Sequence, residues 1–379
     1  MIIGIDASRY AHNEATGVEW YSWHIINNLI EESLKNEEDR VILYSPNYLK
    51  LDNKIAELMK KHKDRIQTKV LPARRLWTLL KLSREMKRNP PDVLFVPSHV
   101  LPLKLPKKSV IMIHDVAFKY LKKSYSWFAY KYLDWSTGFA VKNATKIIVP
   151  SEATKEDLIR FYKCSSEKIT VIQHGFSSPE IKKDKIDKIF GKSSIFKYFG
   201  IKKDSPIILF VGRLENKKNL IRLVEAFKAF LKKYPEYRLI LAGKRGIGFD
   251  QLLKVVKHLK LIDKVIMPGY VTEGEKACLY KYCNVFAFPS LYEGFGLPIL
   301  EAFYYKIPVL TSHVSCLPEV AGDAAYYADP YDVEVITSGL ERLVTNEKYA
   351  EKLISLGKER LKKFSWNSAA KKTLSIITK

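Results

Sequence analysis

Short runs of Ile, Val and Leu alternate with longer amphipathic stretches along this chain. In the first half the short runs fall at residues 2–6, 41–45, 66–71, 92–96, 109–113, 145–149 and 169–172. Most of them are rich in Ile and Val and apolar at successive positions, not at every second one, which is the pattern of strands buried on both faces of a parallel sheet. Stretches with helical spacing lie between most of them, at 17–34, 51–63, 74–88, 124–142 and 152–162. This alternation predicts a doubly wound α/β domain. Residues 177–205 break the rhythm. Ser, Lys and Asp accumulate there, punctuated by Gly191 and Gly200, and the stretch reads as a linker or hinge with some helix of its own. The rhythm then restarts, with strands at 207–211, 238–242, 265–267, 285–288 and 308–310. Helices follow at 220–234, 249–259, 273–282, 298–304, 333–344, 347–363 and 366–377.

Length supports this division, because 379 residues exceed what one hydrophobic core comfortably holds. Charge adds a second feature. The net charge is +23, and residues 1–203 hold 37 Lys and Arg against 22 Asp and Glu. Such an excess implies an anionic partner (nucleic acid, anionic lipid or a phosphorylated substrate) or a lysine-rich solvated surface. The four cysteines, Cys164, Cys278, Cys283 and Cys316, form no CxxC pair and have no histidine cluster beside them. That argues against a metal site and against a disulfide framework, and points to a reducing, cytoplasmic setting. The opening residues Met1–Asp6 read as a buried strand, not as a signal peptide, and no apolar run is long enough to span a bilayer.

In doubly wound sheets ligands bind beyond the carboxyl ends of the strands, so the loops after strands are where chemistry is sought. After the strand ending at Phe288 comes Pro289-Ser290-Leu291-Tyr292-Glu293-Gly294-Phe295-Gly296-Leu297-Pro298-Ile299-Leu300-Glu301. The glycines let the backbone approach a ligand, and Pro298 suits the start of a helix. Open amides at a helix start make an anion site suited to a diphosphate. Glu293 in the loop and Glu301 in the first helical turn offer carboxylates for sugar and ribose hydroxyls. A glycine-rich turn with a Glu favouring the helix start is the structural alternative. After the strand 207–211 comes Gly212-Arg213-Leu214-Glu215-Asn216-Lys217-Lys218, whose guanidinium and ammonium suit a pyrophosphate, although taken alone the spacing reads first as a solvated basic turn. His114-Asp115 directly follows the strand 109–113, and Thr16-Gly17 opens a helix after the first strand, with Thr16 as an ordinary cap.

Together these strings resemble the "E-x7-E" signature and companion motifs of the retaining glycosyltransferases of family 4, over nearly the whole chain. The resemblance implies the GT-B architecture: two Rossmann-like domains facing a central cleft. The acceptor-side domain would be residues 1–176, the hinge 177–205, and the nucleotide-sugar domain 206–364, with 365–379 packing back on the first domain. It implies catalytic roles for His114 and Glu293 at the sugar, with Asp115 orienting the loop or the imidazole. Arg213 and Lys218 would hold the diphosphate, with Lys217 the competing lysine. Gly294, Phe295, Gly296 and Leu297 would line the donor, Glu301 would hold the ribose, and Gly269, Tyr270 and Val271 the base. Gly17 would pack on the donor phosphates, although relatives carry Gly-Gly where this chain has Thr16-Gly17. No metal or other cofactor is expected, because the cationic side chains would replace a metal. The implied reaction moves a sugar from a GDP- or UDP-linked donor to a glycan or lipid-linked acceptor. The resembled subgroup includes mannosyltransferases.

Two basic aromatic segments, residues 74–88 (Arg74, Arg75, Trp77, Lys81, Lys87, Arg88) and 120–135, suggest peripheral contact with an anionic membrane surface. Amphipathic core-facing helices with solvated basic faces are the alternative. Two other readings of the whole stay open at this level. A GT-B epimerase or phosphorylase would share the fold. A basic nucleic-acid-binding protein would explain the charge but none of the strand-end motifs, so no nucleic acid partner is expected.

Overall fold

Ile and Val at consecutive positions shield both faces of a strand, and here they do so in two separate parallel sheets. The computed structural model describes residues 1–11, 17–73, 75–178, 181 and 183–379. Thr16 and Arg74 lie outside the described residues. The chain divides into two units: Met1–Lys119, Ser126–Gly175 and Phe364–Lys379 form one, and Tyr120–Tyr125 with Phe176–Lys363 the other.

In chain order the first unit's strands are β1 (Ile2–Asp6), β2 (Arg40–Ser45), β3 (Ile66–Val70), β4 (Val93–Val96), β5 (Lys108–Met112), β6 (Lys146–Val149) and β7 (Ile169–Val171). Its helices begin with α1 (Gly17–Ser33), α2 (Asn53–Lys61), α3 (Ser83–Arg88), α4 (Ala117–Tyr120), α5 (Trp127–Asn143) and α6 (Glu152–Tyr162). The sheet order is β3-β2-β1-β4-β5-β6-β7, all parallel. Order reverses between β1 and β4, which register as Ile3↔Val93 and Ile5↔Phe95. The sequence-expected helix over 74–88 is split: a wide-turn segment at Thr78–Leu82 precedes α3. Trp77 is buried and donates its Nε1–H to the Leu71 carbonyl at 2.7 Å. The helix expected over 124–142 starts at Trp127, where Ser126 accepts from the Ala129 amide as its cap.

The second unit begins with α7 (Lys183–Lys192) and α8 (Ser194–Tyr198), in the stretch whose composition reads as linker. These helices pack into the unit: Ser193 donates to Glu275 at 2.7 Å, and the Cys278 thiol to the Ile186 carbonyl. The strands are β8 (Ile207–Val211), β9 (Arg238–Ala242), β10 (Val265–Gly269), β11 (Val285–Phe288), β12 (Val309–Ser312) and β13 (Ala325–Ala328). The helices between and after them are α9 (Leu220–Phe230), α10 (Phe249–His258), α11 (Glu273–Tyr282), α12 (Leu297–Tyr304), α13 (Leu317–Ala321), α14 (Val333–Thr345) and α15 (Glu347–Leu361). Sheet order is β10-β9-β8-β11-β12-β13, so the reversal lies between β8 and β11. Neither β13 nor α13 is foreseen from the sequence. The strand Ala-Tyr-Tyr-Ala lacks branched residues, and α13 has only five residues.

The last helix, α16 (Trp366–Thr378), returns to the first unit and lies against α1. Trp366, Ala369, Ala370 and Ile377 join the core formed by Ile3, Ile26 and Phe95. Gly175 makes this possible, since a Cβ there would stand 2.1 Å from the Trp366 backbone nitrogen.

Candidate active site

At the β8/β11 reversal, the loops that follow these two strands run side by side. The Leu291 amide donates to the Lys217 carbonyl at 2.8 Å and ties one loop to the other. Lys218 Nζ lies 2.6 Å from Glu293 Oε1, and the Ser290 hydroxyl donates to the same oxygen at 2.7 Å. Both partners are largely buried, with Glu293 at 8% and Lys218 at 12% side-chain exposure, so water screens this pair weakly. The ammonium also stands 5.2 Å from the centre of the Phe288 ring. Of the two adjacent lysines, Lys218 reaches Glu293, whereas Lys217 turns to Glu215 at 3.9 Å. Arg213 is exposed at the mouth of the same loop.

Gly296 stands immediately before α12 with φ +107°, a left-handed conformation that favours glycine. Its helix carries Pro near the start and no side-chain cap, leaving the first-turn amides to other partners. Gly294 and Phe295 are buried within the loop, and Leu297 is half-buried. Because α12 already begins at Leu297, Glu301 falls past the first turn, not within it. There, Lys276 Nζ meets Glu301 Oε1 at 2.7 Å, and the Tyr280 hydroxyl donates to Oε2 at 2.9 Å. Burial opposes the Lys276 charge, but Glu301 and Glu273 outweigh it and hold the ammonium above its ordinary range. Neither Lys276 nor Tyr280 belongs to a strand-end motif. Their four-residue spacing on one helix face is the only local sign that they act together.

Farther along the same sheet, Gly269 (φ +80°) ends β10, and Tyr270 and Val271 follow it. Gly243 donates its amide to the Gly269 carbonyl at 2.8 Å, and Lys244 Nζ lies 4.9 Å from the Tyr270 ring centre. Tyr270 is 41% exposed and Val271 is buried.

In the first unit, His114 follows β5 and is buried. Its Nε2 is 2.9 Å from the Pro97 carbonyl. A carbonyl only accepts, so Nε2 carries the proton and Nδ1 keeps its lone pair. Burial, reinforced by the neighbouring His99, pushes the imidazole down to about 3, so it is neutral at physiological pH. Tyr21 meets the His114 ring edge-on at 4.8 Å, and the His174 ring lies 5.7 Å away. Asp115 accepts from the Ala117 amide at 3.0 Å, shaping the turn into α4. Gly17 opens α1, and a Cβ there would meet none of the described residues within 4 Å.

The fold and these strand-end loops are those of a glycosyltransferase of the GT-B class. Residues 15–178 match the model of Glycosyltransferase Family 4, and residues 191–360 that of Glycosyl transferases group 1. Between them these models take in most of the chain, and the protein belongs to this family of glycosyltransferases. It is similar to O-antigen chain mannosyltransferase B of Escherichia coli, with 28% identity over 80% of this chain and 77% of that one. It is also similar to the serotype-specific mannosyltransferase WbdA of Escherichia coli, at 26% identity over 70% of this chain but only 33% of that longer protein. Among solved structures it resembles WaaG, a glycosyltransferase involved in lipopolysaccharide biosynthesis. The TM-score is 0.73 with all of both chains covered, at 15% identity. Family membership supports glycosyl transfer as the activity of this fold.

Proposed function

We propose that the protein transfers a sugar, with retention of anomeric configuration and without a metal ion, from a nucleoside diphosphate sugar to a glycan or lipid-linked acceptor. The observation that carries this reading is the buried Lys218–Glu293–Ser290 cluster beside the uncapped start of α12. Lys218, Arg213 and the helix start supply positive potential for a departing diphosphate, as a metal would. Glu293 faces the sugar, Glu301 accepts from the ribose, and Gly269–Val271 border the base. The mannosyltransferase relatives favour mannose as the sugar.

The chemistry follows from these groups. The bond between the anomeric carbon and the phosphate oxygen breaks while the acceptor oxygen bonds to that carbon on the same face. The departing phosphate oxygen takes the acceptor proton. An inverting reaction needs a base on the opposite face. His114 is the residue to examine for that role, and an imidazole pushed down to about 3 is a poor base at neutral pH. It serves better as a hydrogen-bond acceptor through Nδ1. Proton NMR of an early mixture of α-linked donor and acceptor, run with and without EDTA, tests both points. An α-linked product at equal rate in both samples is expected. A β-linked product overturns retention, and loss of turnover in EDTA restored by magnesium or manganese overturns metal independence.

The acceptor side includes a membrane surface in this reading. Helix α5 is inverted: small residues Ser136, Thr137 and Ala140 face inward, whereas Trp127, Phe128 and Trp135 are exposed at 64%, 77% and 47%. Lys131 and Lys142 lie on the same helix. Exposed aromatics beside ammonium groups suit an anionic lipid interface. No helix among the described residues is long and apolar enough to cross a membrane.

A further inference from the structure

Two consecutive residues outside every recognised motif grip the loop that carries Glu293. The Ser315 hydroxyl donates to the Glu293 carbonyl at 2.5 Å, and the Glu293 amide approaches the same hydroxyl at 3.4 Å. The Cys316 thiol lies 3.2 Å from the Glu293 carbonyl and 3.1 Å from the Phe295 carbonyl. Cys316 is wholly buried, and Ser315 adopts φ +57° to bring both side chains to bear on one loop. Burial, with Glu293 nearby, holds the thiol protonated, so it has a hydrogen to donate.

The described peptide bonds are all trans, and in a trans peptide the C=O and the following N–H point in opposite directions. A Phe295 carbonyl held toward Cys316 therefore turns the Gly296 N–H to the other side of the loop. Gly296 is the residue immediately before α12, where amides gather at the positive end of the helix. We infer that Ser315 and Cys316 are positioning residues for donor binding: they hold the Glu293 and Phe295 carbonyls on one side of the loop and thereby aim the Gly296 amide at the donor diphosphate. This rests on the donor reading above. Cysteine fits the place because one small, weakly polar donor serves two carbonyls at a wholly buried position.

The test is calorimetric titration of wild type, Cys316→Ala and Cys316→Ser with GDP and UDP, and with GMP and UMP, alongside thermal unfolding. For the nucleotide that wild type binds, Cys316→Ala lowers diphosphate affinity about five- to ten-fold, as for loss of one hydrogen bond. Its monophosphate affinity stays within about two-fold, and Cys316→Ser recovers the diphosphate affinity because a hydroxyl donates to the same carbonyls. Equal diphosphate affinity in Cys316→Ala and wild type overturns the inference. So does a parallel loss for mono- and diphosphate, which marks a role in general stability only. Should Cys316→Ala fail to fold, Ser315→Ala supplies the same comparison with the same outcomes. Wild type binding neither diphosphate sinks the donor reading itself, an outcome distinct from tight wild-type binding with an indifferent variant.

Discussion

Lys218 and Glu293 lie 75 positions apart in the chain and 2.6 Å apart in space. A buried ion pair of this kind is costly to break from one side, because the remaining charge is left without its partner. On the donor reading proposed above, Lys218→Ala therefore acts twice, stranding Glu293 and removing a cation from the diphosphate. We expect nucleoside diphosphate affinity to fall by about 2–4 kcal/mol, with Lys217→Ala nearly silent. Titration calorimetry with GDP and UDP checks this, and unchanged affinity in Lys218→Ala refutes it. His114 gives a second residue-scale prediction. Its imidazole titrates near 3 when folded and near the ordinary 6.5 when unfolded. Below pH 6.5 the unfolded chain takes up a proton that the folded protein refuses, so this contribution to stability is present at neutral pH and is lost as pH falls toward 3. The unfolding temperature should thus drop between pH 7 and pH 5, and His114→Gln should flatten that drop. Parallel slopes for the two proteins would show that His114 contributes none of it.

At the scale of elements, the return of α16 to the first unit depends on a point of close approach. Gly175 precedes the long excursion through the second unit, and its Cα faces the backbone of Trp366 with no room for a methyl group. Gly175→Ala should cost about 1–3 kcal/mol through overpacking, because the displaced atoms are backbone and have no alternative rotamer. Denaturant unfolding measures the loss. A stability equal to wild type would mean that α16 shifts freely and that Trp366 is not fixed by this contact. The other informative element is α11. Its Thr272 cap and Glu275 form a reciprocal capping box that starts the helix cleanly. The rigid helix then presents Lys276 and Tyr280 to the two oxygens of Glu301.

Across the whole molecule the charge of +23 and the inverted face of α5 belong to one question, the nature of the surface the protein meets. The aromatics supply apolar contact and the lysines supply attraction, so binding to lipid should be both salt-sensitive and dependent on Trp127 and Phe128. Co-sedimentation with liposomes containing anionic lipid should release the protein as salt rises. Replacing Trp127 and Phe128 together by Ser should weaken it without unfolding, since both are exposed. Binding equally to neutral and anionic liposomes would remove the electrostatic part of the argument, and no effect of the double replacement would remove α5.

Which segments are strands and which are helices was legible in the residues, because hydrophobic period is a local property and buried parallel strands show it strongly. The loops after β8 and β11 were legible too, since Gly and Pro mark where a strand must give way to a turn. Glu293, Lys218 and Arg213 were singled out there by the family resemblance, since by type and spacing alone they also read as a glycine-rich turn and a solvated basic turn. Less regular segments were read less well: β13 and α13 went unseen, and the stretch 177–205 reads as a linker with some helix of its own, whose helix α7 packs on α11. The order of strands in each sheet was decided only in three dimensions. It depends on pairings between segments far apart in the chain, which leave no local trace. That order sets β8 beside β11 and so brings the Lys218 loop onto Glu293. The same long-range packing brings Ser315 and Cys316 behind the Glu293 loop and Lys276 onto Glu301. A side chain's chemistry can be read from its letter, but its partner is set by the path of the chain.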